Sequence, residues 1–138
     1  RAEVERLLEF REKLPRLHEI APSQYPISKS GGWKSFFLYF LGRRFPRSCQ
    51  ICPATAAVLR KIPGLDTAFF SILGPRTHIP EHRGPWNGIL RVHLALIIPP
   101  SDRVRILING NTYHWQEGRC LVFDDSYRHE VFNDTDQE

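Results

Sequence analysis

The chain has 138 residues, 41% hydrophobic and 25% charged, the composition of one ordinary globular domain. Its 19 Lys and Arg against 15 Asp and Glu give a net charge of +4, yet no Lys/Arg run or recognition motif points to nucleic acid, so no such partner is expected. No apolar run approaches the roughly 20 residues a membrane helix needs, and there is no secretory leader pattern.

The sequence begins at Arg1 and contains no Met, so a piece of a longer protein is expected. Membrane association is then left to segments outside it, and the expected compartment is the cytoplasm or a membrane surface. Residues 1–20 read as a helix, with Val4, Leu7, Leu8, Leu14 and Leu17 near one face and Pro15 kinking or ending it. A loop over 21–32 is broken by Pro22, Pro26 and Gly31-Gly32. The aromatic run 33–41 reads as a strand, and 42–50 as a basic loop. Pro53 opens a short helix through Ile62, proline being favoured in the first turn. Cys49 and Cys52 form one C-x-x-C pair. With no second pair, a site of four thiolates cannot be built, and a structural role is expected. Three cysteines argue weakly for a reducing compartment.

From Asp66 onward the pattern is all β. A strand over 67–73 ends at Gly74-Pro75. His78 and His82 follow in what reads as a loop, with Pro80, Gly84 and Pro85. The run 89–98 reads as a buried strand, stopped by Pro99-Pro100. Strands over 104–108 and 112–115 flank Asn109-Gly110-Asn111, a hairpin signal because Asn-Gly accepts positive φ. Strands over 118–123 and 129–132 complete the set. Short strands with tight turns and no crossover helices indicate a mainly β, antiparallel barrel or jelly roll with an N-terminal helix and one short helix. Such a barrel needs at least one more strand, so truncation at the C-terminus is expected.

His82 and His129 are separated by a barrel's worth of strands, the layout of a mononuclear metal site. A lone loop histidine is more often a surface residue, which is how His78 and His114 are taken. A two-histidine-one-carboxylate set marks non-heme Fe(II) oxygenases, but the usual carboxylate position, two after the first histidine, is Gly84. Glu81, Asp124, Asp125 and Glu130 lie nearby in sequence. Glu81 and Glu130 adjoin the histidines, and neighbours on a strand face opposite sides. Arg91 and His93 face the same side. A charge inside an apolar strand needs a partner, either an anionic ligand or an Asp or Glu of the protein itself.

The runs Gly-Pro-Arg-Thr-His-Ile-Pro-Glu-His-Arg-Gly-Pro, Leu-Arg-Val-His-Leu-Ala-Leu-Ile-Ile-Pro and Leu-Val-Phe-Asp-Asp-Ser-Tyr-Arg-His-Glu-Val resemble the aspartyl/asparaginyl β-hydroxylase family. The resemblance runs from about Trp33 to the end, and the 1–20 helix adds little to it. It implies a double-stranded β-helix (cupin-like), with 1–138 a single dioxygenase domain whose catalytic barrel is 33–138. It further implies an Fe(II)- and 2-oxoglutarate-dependent dioxygenase that uses O2 to hydroxylate an unactivated C–H, foremost the β-carbon of Asp or Asn in a peptide or protein. A related branch hydroxylates fatty-acyl chains of lipid A, and a non-catalytic cupin-like binding module is the alternative from another class. By resemblance, His82 and His129 are the iron ligands, with no carboxylate, Gly84 being a family feature and water filling the vacant position. Trp33, Ser71, Arg91 and His93 match positions that contact 2-oxoglutarate. A further arginine pairing with 2-oxoglutarate is expected just past His129, about where the sequence ends.

Overall fold

The computed structural model describes residues 1–29 and 31–138. Instead of one helix over 1–20, the amino-terminal segment forms α1 (Ala2–Leu8), a 3₁₀ turn at Arg11–Lys13 and α2 (Leu17–Ile20). Proline disfavours helical backbone in the residue before it, and Leu14 is accordingly extended, with ψ 140°. A second 3₁₀ turn and α3 (Tyr25–Ser28) lead into β1 (Trp33–Phe40). The expected basic loop over 42–50 is ordered: β2 (Arg43–Arg44) pairs with the end of β1, and α4 (Pro46–Ile51) begins at its own proline. α5 (Pro53–Leu59) then starts where expected and ends three residues sooner. Cys49, Cys52 and Ala56 give α4 and α5 a buried side, which fixes both helices against β1.

The remaining strands are β3 (Ala68–Leu73), β4 (Thr77–His82), β5 (Leu90–Leu94), β6 (Val104–Ile108), β7 (Asn111–Tyr113), β8 (Cys120–Asp124) and β9 (His129–Asn133). They form antiparallel sheets in the orders β2-β1-β3, β4-β9-β6-β7 and β5-β8, so the chain is mainly β. The β6–β7 turn is Asn109-Gly110, at φ 48° and 80°, as the Asn-Gly pair predicts.

Two expectations are corrected. The segment holding His78 and His82 is a strand, not a loop. Its Pro80 lies where the β4–β9 register shifts, between Ile79 and His82, a place where a missing N–H is tolerated. The run 89–98 is paired only over Leu90–Leu94 and is not buried on both sides: Leu90, Val92 and Leu94 are exposed, and Arg91 and His93 take the covered side. Side chains alternate across a strand, so an apolar run can belong to a half-covered sheet.

Two hydrophobic clusters hold the molecule. One gathers Val4 and Leu7 of α1 with Leu38, Cys49, Cys52, Ala56 and Phe70. The other gathers Ile79, Ile106, Ile108, Phe123 and Val131, with Trp33, Trp115 and Leu121 packed against it. The second cluster lies under the histidines.

Candidate metal centre

His82 closes β4 and His129 opens β9, and antiparallel pairing sets them directly opposite each other. Their ring centroids are 4.2 Å apart. Each ring is fixed by the same local device, its Nδ1 lying 2.8 Å from a carbonyl two residues back, Pro80 for His82 and Tyr127 for His129. A carbonyl can only accept, so Nδ1 carries a proton in both rings, and Nε2 is the nitrogen left to ligate in the neutral tautomer. The strand pairing thus presents two neutral imidazole nitrogens side by side, the donor type of a borderline first-row metal. Among the described residues no group of three or more His, Cys, Asp or Glu is placed to hold a metal ion. His129 is buried and its Nε2 lies 3.8 Å from Asp125 Oδ1. Burial pushes the His82 imidazole below its ordinary pKa; the Pro80 hydrogen bond opposes this and the neighbouring His129 adds to it. A depressed pKa keeps His82 neutral, as a ligand must be.

Asp125 explains Gly84. Its carboxylate is buried and held by both ends of the Arg91 fork, Nε to Oδ1 at 3.1 Å and Nη2 to Oδ2 at 2.6 Å. Its backbone N–H donates to Ile89 O at 3.0 Å, and its carbonyl accepts from Gly84 N–H at 2.7 Å. A Cβ at position 84 would lie 2.0 Å from Asp125 Oδ2 and 3.0 Å from its Cβ. The carboxylate of Asp125 therefore occupies the space an acidic side chain at 84 would need. The turn after β8 supplies a carboxylate where the segment after β4 cannot.

The other expected site residues fall on the surrounding walls. Arg91 and His93 share one face of β5, as their spacing predicts. Of the two partners weighed for Arg91, the structure supplies the protein's own carboxylate, Asp125. His93 packs edge-on against Phe123 at 5.2 Å and stacks on Trp115 at 5.9 Å, while Phe123 meets His129 at 5.1 Å. Phe123 thus joins the two histidines through one ring. Burial, then the charges of Arg91 and His129, push the His93 imidazole down to about 4. Trp33 donates its indole N–H to Ser71 Oγ at 2.9 Å, and Trp33 packs on the cluster containing Phe123. Ser71 itself is exposed and reaches this wall only through Trp33. His78 pairs with Glu130 at 2.7 Å on the outer face of the sheet, and His114 binds the Val104 carbonyl, both away from the pair. Cys49 and Cys52 are buried, and burial pushes the Cys52 thiol up to about 11, leaving it protonated and inert.

Asp125 appeared in the sequence only as one of several nearby carboxylates. The signal that could have found it is the demand of Arg91 for a partner, which no local spacing identifies.

A family model described as aspartyl/asparaginyl beta-hydroxylase matches residues 1–138. An ornithine lipid ester-linked acyl 2-hydroxylase of Rhizobium tropici is 46% identical over 138 residues, covering 99% of this chain and 49% of that protein. The human aspartyl/asparaginyl beta-hydroxylase is 37% identical over 118 residues, covering 82% of this chain and 15% of its own length. Human aspartate beta-hydroxylase domain-containing protein 2 is 37% identical over 115 residues, covering 79% of this chain and 31% of its own. The chain spans about half the length of the first of these relatives and less of the others.

Proposed function

This chain belongs to the aspartyl/asparaginyl β-hydroxylase family, and on that premise we propose that it is an Fe(II)- and 2-oxoglutarate-dependent hydroxylase of an unactivated methylene group. His82 and His129 hold the iron through Nε2. Bound iron supplies O2 activation, coupled to oxidation of 2-oxoglutarate to succinate and CO2. The observation that carries this reading is the in-register histidine pair with both Nδ1 atoms tied back to carbonyls.

The chain's own residues orient and shield. Phe123 and Trp115 form an apolar wall beside His93. Arg91, on the same face, keeps Nη1 unengaged among the described residues while Nε and Nη2 hold Asp125. That free edge is where a carboxylate of 2-oxoglutarate binds, with Trp33, held by Ser71, packed on the Phe123 cluster. Arg91 thus has two tasks, fixing Asp125 and meeting the co-substrate.

The names of the relatives share one chemistry. The 2-position of an acyl chain and the β-carbon of Asp or Asn are each a methylene beside a carbonyl. We place an ester-linked acyl chain of a membrane lipid first as the substrate, because the 46% identity extends over nearly the whole chain. Peptidyl Asp or Asn comes second, supported by the 37% relatives.

The test is incubation with Fe(II), 2-oxoglutarate and O2, offering ornithine lipid or an Asp-containing peptide in parallel. Succinate and a one-oxygen gain should appear with the lipid, and both should vanish in His82→Ala and in His129→Ala along with metal binding. Oxygen gain on the peptide alone would reverse the order of acceptors. Metal binding without succinate from either substrate would make the chain a binding module.

A further inference from the structure

We propose that residues 41–62 form a docking surface for an anionic lipid bilayer. Between Glu19 and Asp66 there is no acidic residue, while Lys29, Lys34, Arg43, Arg44, Arg47, Arg60 and Lys61 lie in that stretch. Five of these seven lie within 41–62, and without those five the chain has 14 basic residues against 15 acidic ones. The positive net charge is therefore local to one segment. Among the described residues, Arg43, Arg44, Arg47, Arg60 and Lys61 form no ion pair and donate no side-chain hydrogen bond. All five are exposed.

Aliphatic side chains are interleaved with these cations: Leu41 is 58% exposed, Ile51 55%, Val58 62% and Ile62 45%. The helices explain why both kinds of residue face outward. Cys49, Cys52 and Ala56 bury the inner side of α4 and α5. Arg47 and Ile51, four apart on α4, lie away from that side, and so do Val58 in α5 and Lys61 two residues past its end. A recess of about 350 Å³ lined by Phe45, Pro46, Arg47 and Ser48 opens beside them.

The tip of the β1–β2 hairpin adds an independent argument. Phe40 pairs with Arg43, leaving Leu41-Gly42 as a two-residue turn at φ 50° and 72°. Asn or Gly takes the first position of such a turn without strain, whereas leucine does so at a cost. An exposed leucine held there is an apolar tip beside two cations free among the described residues, Arg43 and Arg44, which follow it. The Asp66 carbonyl accepts from the Gly42 N–H at 2.8 Å.

Solvation alone accounts for the arginines but not for four exposed aliphatics among them. Nucleic acid matches the charge through its phosphates, yet it gains nothing from exposed aliphatics, which neither stack on bases nor read their edges. An anionic bilayer matches both, since phosphates meet the arginines and the acyl boundary takes the aliphatics. Among the described residues no helix is long and apolar enough to cross a membrane, so the contact made by this segment is peripheral. The surface owes nothing to the histidine pair, and its test reads binding, not turnover.

The experiment is flotation of the full chain with phosphatidylcholine vesicles, with and without about one third phosphatidylglycerol. Binding should require the anionic lipid and weaken with salt. Each neutralised arginine is expected to cost about fivefold, so Arg43→Gln with Arg47→Gln should lose about 25-fold. Leu41→Asn suits the backbone of the turn and removes only the apolar tip; it should weaken binding several-fold. Arg103→Gln removes one charge elsewhere and should cost far less than the roughly fivefold expected of each arginine in this surface. Near-ultraviolet circular dichroism confirms that each variant is folded. Equal losses in Arg103→Gln and in the double variant would overturn the proposal, as would equal binding to neutral vesicles, unchanged binding by Leu41→Asn, or tighter binding to RNA or polyglutamate than to vesicles.

Discussion

Position 84 has no room for a side chain, because the Asp125 carboxylate stands 2.0 Å from where its Cβ would be. Gly84→Ala must displace a carboxylate that Arg91 holds at both oxygens, and overpacking combined with a disturbed buried pair costs about 3 kcal/mol. Urea denaturation measures it, and a double-mutant cycle gives the cause: with Asp125→Ala already in place, Gly84→Ala should cost little more. Additive losses would mean that the strain lies in the backbone. Gly84→Asp, the change that would restore the usual acidic ligand, meets the same obstacle and should lower stability before it alters metal affinity. Arg91→Ala leaves the Asp125 carboxylate buried and unpaired, so it should destabilise by roughly 3 kcal/mol as well as weaken co-substrate binding. Arg91→Lys restores charge without the fork and should recover only part of either. His93 sets a pH dependence. Its folded pKa of about 4 lies below the unfolded value near 6.5, so the unfolded state binds the proton first. Stability is full above pH 6.5 and falls as pH drops toward 4, by up to about 3 kcal/mol. His93→Asn should flatten that slope in denaturation midpoints measured across the window.

Among the elements, α1 is joined to α5 by one side chain. Glu3 accepts the Ala54 and Thr55 backbone N–H groups at 2.8 and 2.9 Å, as well as the Thr55 hydroxyl. It serves as the missing N-cap of a helix that begins Cys52-Pro53 with no capping side chain of its own. Glu3→Ala should cost about 1–2 kcal/mol, read as a lowered melting temperature, while Glu5→Ala, whose Arg1 pair is exposed, should stay within about 0.5 kcal/mol. What was legible follows the same division between local and long-range causes. β1, β3, β6, β8 and β9 fall within one or two residues of their expected ranges, because β-branched and aromatic runs between turn residues are local signals. β4 was hidden by Pro80, which is compatible with the strand only because the register slips there. The half-exposed character of β5 was hidden because an apolar run looks the same whether one or both faces are covered. At the site, His82 and His129 were legible as a pair, and the strand register sets them opposite each other. The Arg91–Asp125 pair was legible only as a need, since one member comes from β5 and the other from the turn after β8.

For the whole molecule, the two clusters divide support of the fold from support of the site. Leu38, fully buried, belongs with Val4, Leu7, Cys52 and Phe70 beneath α1, α4 and α5. Ile106, also fully buried, lies in β6 opposite Val131, and two residues on Ile108 faces His129. Truncating either to alanine removes the same kind of contact, and each should cost about 2–5 kcal/mol. The consequences for the His82–His129 pair should differ. β9 is held between β4 and β6, so a cavity at Ile106 lets β9 shift relative to His82 and spoils the spacing of the two Nε2 atoms. A cavity at Leu38 relaxes against the helices, on the far side of β1 and β3. Mn(II) titration below the melting range of both variants should show affinity lowered several-fold in Ile106→Ala and near the unsubstituted value in Leu38→Ala. Equal affinities in the two would mean that the carbonyl tethers from Pro80 and Tyr127 hold the rings without help from the core, so that the metal pair would owe its geometry to its own turns and not to the packing beneath it.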